Sequence, residues 1–363
     1  MTPRILILAD INSSHTQKWV LGLANDNFNI GIFSFNASKN NWYCDHENII
    51  CLNKRKTKAS LTLINKLAYL LFWPNLIYQI IKFKPDVIHS HYASSYGLLG
   101  ALTLFKPYVV SAWGSDVMEF PKKNFLNKFI LKFVLFRANK ICVTSTALKK
   151  EIAAYTKKQA YVIPFGVNLN VFYANNLPHD NTDFTFGIVK GLEPIYNIDK
   201  TIIAFYSLVK KHSHLSLKLK IVGGGSQKEN LLELINYYGL QNNIEMVGFV
   251  SHEQIPTHLN TMDVLINVSE AESFGVSVAE AMACQIPVIV SDLDGFKDLI
   301  PDESIGLITH STSPLDISIA MEKYLMNNEL RSTLAKNAFQ RISEKFSWSQ
   351  NLSEMEKLYF EMT

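Results

Sequence analysis

The stretch AESFGVSVAEAMA, residues 271–283, sets two carboxylates, Glu272 and Glu280, eight positions apart, with Ser273, Phe274, Gly275 and Val276 following the first. VLINVS (264–269) before it reads as a buried strand and GVSVAEAMA as a helix. The turn therefore falls past the carboxyl end of a strand, where open α/β sheets take ligands. Free N–H groups at such a helix start attract phosphate, and a glycine lets an anion approach the backbone. A carboxylate there would repel phosphate, but it can accept hydrogen bonds from the hydroxyls of a sugar. Glu280, further along the helix, could serve a second hydroxyl pair. A plainer reading has Glu272 stabilising the helix N-terminus and Glu280 exposed.

Other residues also have types suited to chemistry. IVGGGS (221–226) places Gly223 and Gly224 after a strand, either to meet a phosphate or simply to turn the chain. It is not a GxGxxG dinucleotide fingerprint, and no acidic residue follows at the required spacing. His15 lies in the loop after the first strand, as a donor- or acceptor-side candidate or an exposed loop histidine. His89 and His91 form H-x-H on a strand; no third ligand is evident, so no metal site is expected. WGSDV (113–117) follows a buried strand and puts Asp116 at its carboxyl end, where it could face a ligand cleft or cap the next helix.

These residues need a frame. At 363 residues the chain exceeds one ordinary core, so two domains are expected. With 48% apolar and 18% charged residues it belongs to the globular class and not the disordered one. Cys44, Cys51, Cys142 and Cys284 lack pair spacing, which argues against a zinc or disulfide framework and for a reducing compartment. The first apolar run is too short for a signal peptide. The longest apolar stretch, LAYLLFWPNLIYQII (67–81), falls short of the roughly 20 residues of a membrane span.

Strand-like runs at 4–10, 28–35, 86–91, 108–113, 140–145 and 160–165 alternate with helical patterns at 16–25, 60–82, 92–105, 124–138 and 146–155. A polar linker reads at 174–183. The cycle then restarts with strands at 184–189, 217–223, 244–250, 264–269 and 286–291, and helices at 199–211, 226–238, 253–261 and 275–284. A final helix is expected at about 346–361. The fold class is α/β, with two Rossmann-like doubly wound domains facing across a cleft.

The stretch from Ser269 to Ile289 resembles the E-x7-E signature of retaining, GT-B-fold glycosyltransferases of family 4. PFGVNLNVF (164–172), IVGGGS and GFVSHEQIPTHL (248–259) resemble further family segments in the family's order. ADINSSHTQKW (9–19), HSHYA (89–93), WGSDV and VTSTALKKEI (143–152) are similar to a bacterial subgroup. The resemblance spans nearly the whole chain. It implies an acceptor-side domain over 1–168, a nucleotide-sugar domain over 169–345, and a last helix, 346–363, packing back on the first domain.

The resemblance also implies roles. Glu272 would contact the donor sugar. Phe274, Gly275 and Val276, beside Ser273, would offer backbone contacts, and Glu280 would hold the ribose. Phe249 and Val250 would line the base. Transfer with retention and without an obligatory metal leaves cationic side chains and helix dipoles to stabilise the departing diphosphate. Here the sequence departs from the family: Gly191 stands at the usual Arg position, and Ile195 and Tyr196 occupy the Lys region. Lys190 is left to supply the charge. Trp113 stands where many relatives carry His and cannot act as a base. Asp116 becomes the candidate that activates or orients the acceptor hydroxyl, with His15, His91 and Trp113 beside it.

The charge is uneven. Residues 1–165 carry 21 Lys/Arg against 8 Asp/Glu, while residues 166–363 carry 14 against 24. NKRKTK (53–58) and KKNFLNKFILKFVLFRANK (122–140) mix lysine with aromatics in a way that suits an anionic membrane surface. Nucleic acid is not expected, because no module for it accompanies the patch. The expectation is an enzyme at the inner face of the cytoplasmic membrane. It would use a UDP- or GDP-linked sugar and a glycan or lipid-linked acceptor in lipopolysaccharide, O-antigen or capsule assembly. A sugar-nucleotide epimerase and a catalytically weakened sugar-nucleotide-binding subunit are the alternatives.

Overall fold

The computed structural model describes residues 2–53, 69–175 and 183–363. The chain divides into two compact units, Met1–Phe165 with Asn351–Thr363, and Gly166–Gln350. The first boundary falls before the expected residue 168 for a physical reason. Val167 donates its N–H to Phe346 O and accepts from Trp348 N–H, so this strip pairs with the end of the second unit.

The first unit holds a seven-stranded parallel sheet: β1 (Arg4–Leu8), β2 (Asn29–Phe33), β3 (Ile49–Cys51), β4 (Val87–His91), β5 (Tyr108–Ala112), β6 (Lys140–Val143) and β7 (Ala160–Val162). Their order is β3-β2-β1-β4-β5-β6-β7. The helices are α1 (Ser14–Asn25), α2 (Trp73–Phe83), α3 (Ser95–Leu102), α4 (Ser115–Met118), α5 (Phe125–Arg137) and α6 (Thr146–Ile152). Right-handed crossovers place α2, α3, α5 and α6 on one face of the sheet. Their inward residues, among them Leu76, Leu99, Leu131 and Leu148, share one core cluster with Ile88, Val110 and Ile141.

The second unit holds six parallel strands: β8 (Phe184–Val189), β9 (Leu217–Val222), β10 (Ile244–Gly248), β11 (Val264–Asn267), β12 (Val288–Ser291) and β13 (Leu307–Thr309). The order β10-β9-β8-β11-β12-β13 reverses direction between β8 and β11. Around them run α7 (Ile198–Lys211), α8 (Lys228–Tyr237), α9 (Ile255–Leu259), α10 (Val276–Ala283), α11 (Pro314–Met326) and α12 (Asn328–Lys345). Helix α13 (Trp348–Phe360) starts in this unit, and its remainder belongs to the first.

The expected elements are present with shifted ends. The helix expected at 60–82 is described only from Trp73, and Pro74 sits in its first turn, where a missing N–H is tolerated. Residues 60–68, most of NKRKTK and linker residues 176–182 lie outside the described residues. Among the described residues no helix is long and apolar enough to cross a membrane.

Helix α13 ties into the first core through His89. This histidine is fully buried; its Nδ1 lies 2.6 Å from the Tyr359 hydroxyl and its Nε2 lies 2.7 Å from the Ser111 hydroxyl. Burial, with His91 nearby, holds its pKa well below the ordinary value. Burial and neighbouring His15 bring His91 down to about 3. Both are therefore neutral in the folded state at pH values where the unfolded chain protonates. Their stabilising contribution is complete above the unfolded value near 6.5 and declines as pH falls below it. In urea unfolding the histidines' contribution should be level above about pH 6.5 and fall below it, by up to about 1.4 kcal/mol per pH unit for each, against the opposite trend of the raised carboxyls of Asp116 and Glu356.

Candidate active site

The turn after β11 is shaped by what surrounds it. Gly275 precedes α10 with φ of 89°, in the left-handed region, and a Cβ there would lie 2.8 Å from the Phe296 ring. Phe274 is buried with its ring 5.7 Å from that of Phe346. The first-turn N–H groups of α10 have no intrahelical acceptor, as at any helix start. Ser273 and Phe274 direct their N–H groups at the Glu272 carboxylate, Ser273 at 3.0 Å.

Glu272 Oε2 meets Lys190 Nζ at 2.5 Å, with side-chain exposures of 12% and 17%. Burial alone would raise the Glu272 pKa, but the Lys190 ammonium and the two N–H donors hold it below the ordinary carboxylate value. Lys190 follows β8 and Glu272 follows β11, so the pair stands where the strand order reverses. The Tyr196 ring lies 4.5 Å from Lys190 Nζ. Two further bonds join these loops: Asn197 Nδ2 donates to Val268 O at 2.9 Å, and Glu270 N–H donates to Ile195 O at 2.8 Å.

Gly223 N–H donates to Gly248 O at 2.9 Å. Gly224 packs beside Phe249, whose side chain stands 86% exposed past the end of β10, with Val250 half-buried next to it. Glu280 is buried, not exposed, and its Oε1 lies 2.7 Å from His252 Nε2. His252 also faces Phe172 at 5.3 Å between ring centroids. It is a site residue that sequence reasoning missed. The available signal was the capping box Ser251–Gln254, which pins the turn carrying it.

The first unit gathers a separate group. His15 stacks on Phe165 with centroids 3.9 Å apart and meets the Trp113 edge at 5.8 Å; His91 lies 4.9 Å from Trp113. Asp116 is the residue expected to activate or orient the acceptor hydroxyl. It is completely buried, and its carboxylate accepts N–H from Ala93 at 2.6 Å, Gly114 at 2.9 Å and Trp113 at 3.1 Å. Burial raises its pKa, only partly offset by those donors. Asp116 joins the loops after β4 and β5. His89 is equally committed inside the core, and among the described residues no group of three or more His, Cys, Asp or Glu could hold a metal ion.

With this geometry in place, the likeness to known proteins runs along most of the chain. The family described as glycosyl transferase 4-like matches residues 4–145, and the glycosyl transferases group 1 family matches residues 172–341. The chain belongs to this glycosyltransferase family, and its two Rossmann-like units are those of the GT-B fold. It is 29% identical to an uncharacterised glycosyltransferase of Methanocaldococcus jannaschii, over 77% of this chain and 76% of that one. It is 26% identical to the capsular polysaccharide biosynthesis glycosyltransferase CapM of Staphylococcus aureus, over 83% of each. Among solved structures it is similar to Anabaena HepE in complex with UDP-glucose, with TM-score 0.82 at 17% identity, covering 99% of this chain and 100% of that one.

One neighbour offers a test of the turn. Gly295, in the turn after β12, approaches so closely that a Cβ would lie 1.9 Å from Glu272 O. Gly295→Ala should displace the Glu272 loop and lower sugar transfer about a hundredfold, since displacements of about 1 Å cost that much. Nucleotide-release kinetics would measure the loss, and circular dichroism should show both units still folded.

Proposed function

We propose that this glycosyltransferase moves a sugar from a UDP- or GDP-linked donor to a hydroxyl of a glycan or lipid-linked acceptor. The anomeric configuration is retained and no metal is obligatory. The observation that carries this reading is the buried Lys190–Glu272 pair beside the N-terminus of α10. On donor binding, sugar hydroxyls replace part of what Glu272 now accepts. Lys190 turns its charge to the diphosphate, together with the first N–H groups of α10. Glu280 accepts from the ribose hydroxyls, and the exposed Phe249 offers a face to the base.

The UDP-glucose bound to HepE supports a nucleotide-sugar donor, and the likeness to CapM supports surface-polysaccharide assembly as the setting. In this setting the enzyme works at the inner face of the cytoplasmic membrane.

The test is nucleotide release from UDP- and GDP-sugars with polysaccharide and lipid acceptor extracts. Native enzyme should release nucleotide only when acceptor is present, and Glu272→Ala should lower the rate at least about a hundredfold. An altered sugar nucleotide formed without acceptor would establish the epimerase reading instead. Donor binding with no turnover on any extract would leave a binding subunit.

A further inference from the structure

Helix α5 has two apolar sides. Its inward side buries Leu131, Val134 and Leu135. Its outward side, at the helical spacing i, i+4, i+7, i+11, reads Phe125, Phe129, Lys132, Phe136, with Leu126 alongside. Phe125 is 83% exposed, Phe129 59% and Phe136 71%. A helix on a soluble surface normally turns a polar stripe outward. Here three phenylalanines stand in water where charge is expected.

Positive charge predominates around this stripe, with Glu119 and Glu151 at its ends. Residues 120–150 contain eight Lys/Arg and no Asp or Glu. Lys122 pairs with Glu151 at 2.8 Å, and Lys158 reaches back to Phe136 O and Ala138 O, its ammonium 5.7 Å from the Phe136 ring. Lys123, Lys128 and Lys132 have no ion-pair partner among the described residues. Helix α2, on the same face of the sheet, repeats the composition. Tyr78 and Ile81 are exposed, Lys82 and Lys84 flank them, and no acidic residue occurs over 69–85.

We propose that the outward side of α5, with that of α2 on the same face of the sheet, docks on an anionic lipid bilayer. The phenylalanines of α5 enter the headgroup–acyl boundary, and the lysines take the lipid phosphates. A second copy of this chain fits less well, because a two-fold contact through this face would set lysine against lysine. The surface deepens the reading of a lipid-linked acceptor and rests on it only for its purpose. Docking is measured without donor or acceptor, so it can fail while sugar transfer stands, and the reverse.

The experiment is co-sedimentation with vesicles of phosphatidylcholine, with and without one-third phosphatidylglycerol, at low and high salt. Native protein should bind the phosphatidylglycerol vesicles, and salt should weaken that binding. Replacing Lys123, Lys128 and Lys132 together by Gln should reduce binding about a hundredfold, on the order of five-fold for each lysine. Phe125→Ser, Phe129→Ser and Phe136→Ser together should remove binding that persists at high salt. Both variants should keep the native circular dichroism and thermal midpoint, because the replaced side chains support no core. The proposal is overturned if native protein stays in solution with anionic vesicles at low salt, or if folded variants bind as it does. Concentration-dependent dimerisation abolished by the same serines would assign the face to a second copy, and overturn it equally.

Discussion

The ion pair between Lys190 and Glu272 is the constraint on which the second unit's architecture turns. Two charges 2.5 Å apart and largely removed from water stabilise each other only while both are present. Removing one leaves the other buried and uncompensated, a loss of about 3–5 kcal/mol. The surrounding chain is arranged to keep them together. Neighbouring strands β8 and β11 deliver one residue each, in register from Phe186 opposite Val264. Asn197 and Ile195 fasten the lysine's loop to the glutamate's through Val268 and Glu270. Because β8 and β11 diverge here, the pair sits where an α/β sheet leaves room for a ligand. A cation and a carboxylate that already satisfy each other can be repartitioned by a molecule bearing both phosphate and hydroxyls.

Much of this was legible in the residues. The alternation of apolar strands and helices marks two doubly wound units, and the place of Glu272 after VLINVS marks a strand's carboxyl end. Lys190 could be singled out because the family resemblance calls for cations here and Gly191, Ile195 and Tyr196 supply none. The missing parts depend on distance in the chain. The capping box that pins the turn of His252 does not disclose its partner Glu280, and that Tyr359 closes on His89 across 270 positions has no local signature. Asp116 shows the limit well. Its position past a strand end was readable, but whether it faces a ligand or the loop backbone is decided by Ala93, Trp113 and Gly114. Strands β3 and β13, three residues each, and helices α11 and α12 were not among the expected elements.

The charge is divided unevenly between the two halves of the sequence. The basic half of the sequence builds the unit whose lysine- and phenylalanine-bearing helix suits an anionic surface. The acidic half builds the unit whose glutamates suit a hydroxyl-rich donor. Its scarcity of cations near the site gives Lys190 more weight than a single lysine usually has. It also makes the site depend on how that lysine is shared between Glu272 and an incoming anion.

That sharing can be measured directly by calorimetric titration of UDP and GDP, without sugar, into native protein, Lys190→Ala and Glu272→Gln. Lys190→Ala should weaken whichever diphosphate the native protein binds by about ten- to a hundredfold, the value of one charge-assisted hydrogen bond. Glu272→Gln frees the lysine and should leave that affinity equal or tighter. Unchanged binding in Lys190→Ala, or an equal loss in both variants, would contradict the account.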